Sequence, residues 1–237
     1  MEADRIADYP VGELVNAGPA KRPSRITLTG RHVTIAPLDP AAHAEALFEG
    51  SSGGKKDNLW AYLFAGPFRD RDSFDSYLAD KASCEDPLLF TIVDNRTRRA
   101  AGMAAYMRIE TVHRVIEIGN ILYTPGLQRS AGATEAMYLM ARHAFENLGY
   151  RRYEWKCNAL NAPSRRAAVR LGFTFEGVFR QHFIVKGRNR DTAWYSMLDH
   201  EWPARKRAFE EWLEPVNFGP DGKQKKPLSD FMGNAGS

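Results

Sequence analysis

The chain has 237 residues, 43% of them hydrophobic and 26% charged, with a formal net charge of +4. This is an ordinary globular composition, long enough for one large core and without an apolar run that could span a membrane. The charge is too mild to mark a nucleic-acid binder, and neither the two cysteines nor the six histidines are spaced as metal ligands. Residues 1–10 carry early acidic side chains and no apolar signal core, so a cytoplasmic protein without a disulfide framework or a metal is expected.

Residues 1–30 contain Pro10, Gly12, Gly18, Pro19 and Pro23 and no sustained periodicity, which reads as a surface or partly disordered arm. Residues 32–38 alternate as a first strand, and residues 41–48 follow the Asp39-Pro40 start of a short helix. SSGGKK at 51–56 reads as a flexible loop, with helical stretches at 59–63 and 70–81. Phe74, Tyr77 and Leu78 share one stripe of the second. Strands are expected at 88–93, 100–110 and 115–123, joined by short turns and so antiparallel.

A helix over 133–148 puts Met137, Met140, Ala141, Ala144, Phe145 and Leu148 on one face and ends at Gly149. A strand at 152–157 and a helix at 163–171 follow, then strands at 173–178 and 182–185, a hairpin turn at 186–191 and a strand at 192–198. A helix over 204–213 closes the series, and the tail from Gly219 reads as disordered. The order describes an α/β (α+β) domain with a mixed, mostly antiparallel central sheet flanked by helices. It is not a doubly wound sheet, because βαβ alternation fails in the first half.

Two segments carry the chemistry. LQRSAGATE (127–135) lies between a strand and a helix. The first N–H groups of a helix have no internal partner and sit at the positive end of its dipole, so they suit phosphate. Alone, such a stretch is as often an ordinary strand-to-helix connection. NAPSRRAAVRLGF (161–173) supplies the second segment, though Asn161 and Ser164 are also ordinary helix-start residues.

Together, in this order, these segments resemble the GCN5-related N-acetyltransferase (GNAT) superfamily, in its RimJ/RimL-type branch, over about residues 32–202. The resemblance leaves an arm at 1–30 and a C-terminal helix and flexible tail at 203–237 outside a domain spanning 31–202. It implies that Gln128, Arg129, Ser130, Ala131, Gly132, Ala133 and Thr134 bind the pyrophosphate of acetyl-CoA, a co-substrate. The family's usual central glycine falls on Ala131, which is tolerable if that residue is helical rather than left-handed. The resemblance further implies that Asn161 holds the pantetheine arm and that Ser164 lies near the thioester sulfur, where as a catalytic residue it would protonate or hydrogen-bond the leaving thiolate. Backbone groups of Leu122 and Tyr123 would meet the thioester carbonyl. Arg165, with Arg166, either meets the 3′-phosphate or belongs to a solvated helix face.

Acetyl transfer to an amine needs a base. Glu117, on the strand at 115–123 and on the face opposite Asn120 by a two-residue period, is the candidate; a paired surface glutamate is the other reading. Cys157 shares a face with Tyr153 and Trp155 and reads as a small buried side chain. Trp60, Tyr62 and Phe64 read equally as pocket lining or core, and Arg188 and Arg190 as pocket rim or charged turn. The expected activity is direct transfer of acetyl to a primary amine, either a protein N-terminus or a small amine. A sensor that binds acyl-CoA without turnover is the alternative. No membrane or direct nucleic-acid partner is expected, and a homodimer is possible.

Overall fold

The computed structural model describes residues 11–15 and 17–233. Much of the expected N-terminal arm (1–10 and 16) therefore lies outside the described residues. Eight strands form one sheet in the order β1-β2-β3-β4-β5-β6-β8-β7. They are β1 (Leu28–Thr29), β2 (Val33–Pro37), β3 (Leu88–Asp94), β4 (Ala100–Glu110), β5 (Val115–Tyr123), β6 (Arg152–Asn158), β7 (Thr174–Val185) and β8 (Arg188–Leu198). Every pairing is antiparallel except β5 with β6.

Side-chain alternation divides the core in two. Phe90, Ile92, Ala104, Tyr106, Ile116 and Ile118 face α3 (Ala131–Arg142), α4 (Ala162–Arg170) and α5 (Trp202–Leu213). Leu89, Met103, Ala105 and Leu122 face α1 (Pro40–Ser51) and α2 (Arg71–Ser83). The α2 stripe works as spaced: Phe74 and Leu78 are fully buried. Asp39 and Asp70 cap α1 and α2 by accepting first-turn N–H groups.

Several boundaries differ from the sequence reading. The helix expected at 59–63 is instead a 3₁₀ segment, Gly54–Trp60, that opens from Gly53 and Gly54 at φ 87° and 61°. The helix expected over 133–148 begins at Ala131, and its last turn widens to a π-helix over His143–Asn147. The two strands expected at 173–178 and 182–185 are one strand, β7, whose register shifts against β8 between Phe179 and Phe183. The hairpin turn shrinks from 186–191 to Lys186 and Gly187, both at positive φ. Residues 219–233, expected as a free tail, pack back on the body. Leu228 is fully buried, and Asn217 binds the Trp212 and Lys226 carbonyls. Alternation and caps are local signals; the tail is held by partners that sequence spacing does not show.

Candidate active site

The sheet opens where β5 and β6 part. Their parallel pairing runs only from Val115↔Arg152 to Ile118↔Trp155, so residues 119–123 of β5 have no partner on β6. At the same place β5 carries a bulge. Three steps on β5, from Gly119 to Leu122, oppose two on β4, and Asn120 sits at φ 49°. The bulge breaks the strict alternation, so Glu117 and Asn120, expected on opposite faces, both line one cavity.

That cavity holds about 120 Å³. Its walls come from Met107 and Arg108 of β4, from β5, β6, the start of α4, the 59–64 loop, and Phe183, Arg190 and Thr192 of the β7–β8 hairpin. Trp60 is not part of it: the indole is fully buried in the core and donates to the Ser51 carbonyl. Tyr62 and Phe64 do line it. Arg188 is exposed, whereas Arg190 is buried and lines the cavity, so the charged-turn reading fails for Arg190.

Glu117 is only 4% exposed. Arg108 Nε lies 3.0 Å from its carboxylate and Lys156 Nζ 3.1 Å away. Lys156 also pairs with Glu154 at 2.6 Å and lies over the Trp194 ring. Burial raises the Glu117 pKa above the ordinary carboxylate value, although Lys156 and Arg108 pull against the shift. A carboxyl group with a raised pKa, facing a cavity, is placed as a proton acceptor would be. Glu154, Lys156 and Asn158 alternate with Tyr153, Trp155 and Cys157 on β6. That polar face follows the period of the strand, whereas its pairing with Glu117 is long-range.

The loop into α3 holds a second group of candidate residues, and none of them lines this cavity. Its left-handed residue is Arg129, at φ 57°, so Ala131 enters the helix without strain. Ser130 is the N-cap; its hydroxyl accepts the Ala133 N–H at 3.1 Å and donates to the Leu127 carbonyl. The N–H groups of Ala131 and Gly132, at the helix's positive end, have no acceptor among the described residues. These groups suit a pyrophosphate. Gly132 is needed for close approach: a Cβ there would lie 2.8 Å from Val33 Cγ1. Gln128 donates to the Tyr123 carbonyl, and the buried Thr134 hydroxyl accepts from Arg170. Their side chains therefore brace the loop.

Glu135, one residue on, was not foreseen as part of this arrangement. Its buried carboxylate accepts the backbone N–H groups of Arg31, His32 and Val33 at 2.8, 2.6 and 2.9 Å. It ties the start of α3 to the turn between β1 and β2. Those partners lie some hundred residues away, so no local pattern reveals them.

The remaining candidates fall as follows. Asn161 caps α4 by accepting the Ser164 N–H at 3.2 Å, and both residues line the cavity. The Ser164 hydroxyl accepts from the Trp155 indole N–H at 3.0 Å. Cys157 is buried beside it, with its pKa raised by that burial. Arg165 donates to the Tyr195 hydroxyl and the Ala159 carbonyl, so its guanidinium is engaged within the fold. Leu122 and Tyr123 pair with Met103 and Gly102 on β4, and the cavity ends one residue earlier, at Ile121.

The sheet parts beside a bulge, α3 opens with free amides, and a buried carboxyl faces the cleft. Residues 32–174 match the family model described as "Acetyltransferase (GNAT) domain". The chain belongs to the GNAT acetyltransferases. It is similar to a GCN5-related N-acetyltransferase from Brucella melitensis, at 46% identity and TM-score 0.90 over 92% of this chain and 98% of that one. A GNAT-family structure from Chromobacterium violaceum is 40% identical, with TM-score 0.76 over 83% of this chain and 98% of that one. A Bacillus subtilis protein provisionally named ribosomal N-acetyltransferase YdaF is 30% identical over 44% of this chain. The matched stretch spans 57% to 63% of the length of the curated relatives.

Proposed function

We propose that this chain transfers an acetyl group from acetyl-CoA to a primary amine by direct attack in a ternary complex. The observation that carries the reading is Glu117, buried with a raised pKa in the cleft that opens between β5 and β6. An ammonium has no lone pair, so an amine must lose a proton before or as it attacks. Glu117 accepts that proton, and Arg108 and Lys156 hold its carboxylate in place.

Bound acetyl-CoA supplies the activated thioester. The amides of Ala131 and Gly132 hold its pyrophosphate, with Arg129 and Ser130 shaping the loop around them. The side-chain oxygen of Asn161 is used as a cap, which leaves its NH₂ for the pantetheine arm. The cavity boundary favours the backbone at Asn120 and Ile121, rather than Leu122 and Tyr123, for the thioester carbonyl. Ser164 orients the sulfur end through the hydroxyl that Trp155 fixes. Arg165 takes no part in this scheme. The reading places the enzyme in the cytoplasm without a metal, membrane or nucleic-acid partner, and any homodimer is to be tested by sedimentation. The Bacillus subtilis relative carries the name of a ribosomal N-acetyltransferase, so ribosomal proteins belong among the acceptors worth testing.

The test follows release of free CoA over a panel of N-terminal peptides and small amines, beside calorimetric titration with acetyl-CoA. Acetyl-CoA binding with amine-dependent CoA release supports the enzyme. Binding without release from any amine would leave a sensor module instead.

A further inference from the structure

The cavity is lined by three cationic side chains, Arg108, Lys156 and Arg190, and one carboxylate, Glu117. The ion pairs of the cavity belong to Arg108 and Lys156. Arg190 is 7% exposed, and no carboxylate among the described residues lies within ion-pair distance of it. Its Nε is buried without a hydrogen-bond partner. Its guanidinium lies over the Phe64 ring at 4.9 Å and the Phe183 ring at 5.8 Å, which fix the plane of the group but accept no hydrogen bond. Beside it in the wall, the fully buried Thr192 hydroxyl also has no partner among the described residues.

A buried arginine remains charged, and burying a charge is costly unless an anion pairs with it. Among the described residues no carboxylate bonds to it, and Glu117, whose charge reaches it through space, is already paired with Arg108 and Lys156. The guanidinium presents a planar fork of donors, the geometry that meets a carboxylate through two parallel bonds. An adjacent hydroxyl offers a further donor.

From the unpaired Arg190 and Thr192 beside Glu117, we infer that the acceptor is an amine that also carries a carboxylate, which Arg190 and Thr192 bind while Glu117 receives the amine's proton. This rests on the proposed function, in that the cavity is taken as the acceptor site. Arg190 is the residue that sets specificity. Attack of the amine nitrogen on the thioester carbon forms the amide and releases CoA thiol, while the acceptor's carboxylate is unchanged.

The experiment uses matched acceptors in two arms, with wild type and Arg190→Met. One arm compares free α-amino acids with their α-carboxamides. The other compares peptides beginning with glutamate and with glutamine. The wild type should favour the acid over the amide by about 10²-fold in kcat/KM in one arm, as expected when a buried charge loses its partner. The arm that shows the preference identifies the source of the carboxylate. In Arg190→Met the acid-to-amide ratio should collapse towards one.

Thermal shifts with the N-acetylated acids and amides read the same preference without turnover, so the inference is tested even if no acceptor is acetylated. Arg190→Met should fold with a melting temperature equal to or above wild type, since it removes an unpaired buried charge. Equal handling of acid and amide by the wild type, in both rate and thermal shift, overturns the inference. So does a preference that survives in Arg190→Met. Failure of acetyl-CoA to bind in calorimetry would count against the proposed function instead, because Arg190 does not belong to the α3 loop.

Discussion

Glu117→Gln tests the proton-transfer step while keeping the shape of the side chain. The carboxylate it replaces is 4% exposed and lies 3.0 Å from Arg108 Nε and 3.1 Å from Lys156 Nζ. Removing one member of a fully buried ion pair costs about 3–5 kcal/mol. Here Lys156 keeps Glu154 at 2.6 Å, and the Arg108 side chain is 38% exposed. Because burial outweighs both pairs in setting the Glu117 pKa, the neutral amide should cost little stability, about 1 kcal/mol or less at neutral pH. If Glu117 takes the amine proton, turnover should fall by roughly 10²–10⁴-fold while acetyl-CoA affinity holds.

The pH profile separates this from a packing effect. Burial raises the Glu117 pKa, and a base works only when deprotonated, so wild-type kcat/KM should rise with pH through a value above the ordinary carboxylate range. In Glu117→Gln that rise should vanish. Stability carries the opposite sign. A carboxyl whose folded pKa is raised contributes its stabilisation below the unfolded pKa and loses it as pH rises through the folded one. The wild type should lose this contribution across that window, and the glutamine variant should not. Full activity in Glu117→Gln with an unchanged pH profile would refute the role of Glu117 as base.

Three further substitutions examine other parts of the site. Ala131→Asp places a carboxylate at the first turn of α3; it should preserve the melting temperature, because an acidic residue suits a helix N-terminus, yet weaken acetyl-CoA binding by about tenfold or more in calorimetry. It is a cleaner probe than Gly132→Asp, whose side chain would displace Val33 and confuse folding with binding. Glu135→Ala strips three backbone N–H groups of a charged acceptor and should cost about 3–5 kcal/mol in denaturant unfolding, with Glu135→Gln losing less. Ser164→Ala leaves the Trp155 indole N–H without its acceptor and should cost about 1–3 kcal/mol; a drop in turnover per folded molecule would add a role at the sulfur, and an unchanged melting temperature would refute the indole bond.

The strands β4 and β5 and the capped helices could be read from the chain because alternation, turn residues and caps act within a few residues. The two candidate segments could be picked out for the same reason, since open amides at a helix start follow from local composition, while their roles came from the family resemblance. What could not be read depends on distance in sequence. Arg190 reads as either pocket rim or charged turn until β7 and β8 pair directly across Lys186 and Gly187 and place it under Phe64. The bulge at Asn120 moves a second polar residue into the cavity, and strict alternation cannot anticipate it. Arg165 carries the charge suited to a phosphate, but its partners Tyr195 and Ala159 are set by how α4 lies against β8.

The Glu135 tether has a consequence for binding entropy. Flexible loops that close on an anion lose conformational freedom when they do so, and that loss weakens affinity. Here the turn between β1 and β2, the sheet edge and the first turn of α3 share one buried carboxylate, and neither Gly30 nor Gly132 has room for a side chain without a shift of its neighbours. The amides that would meet the pyrophosphate are thus aimed before any ligand arrives, and their ordering is part of folding rather than of binding.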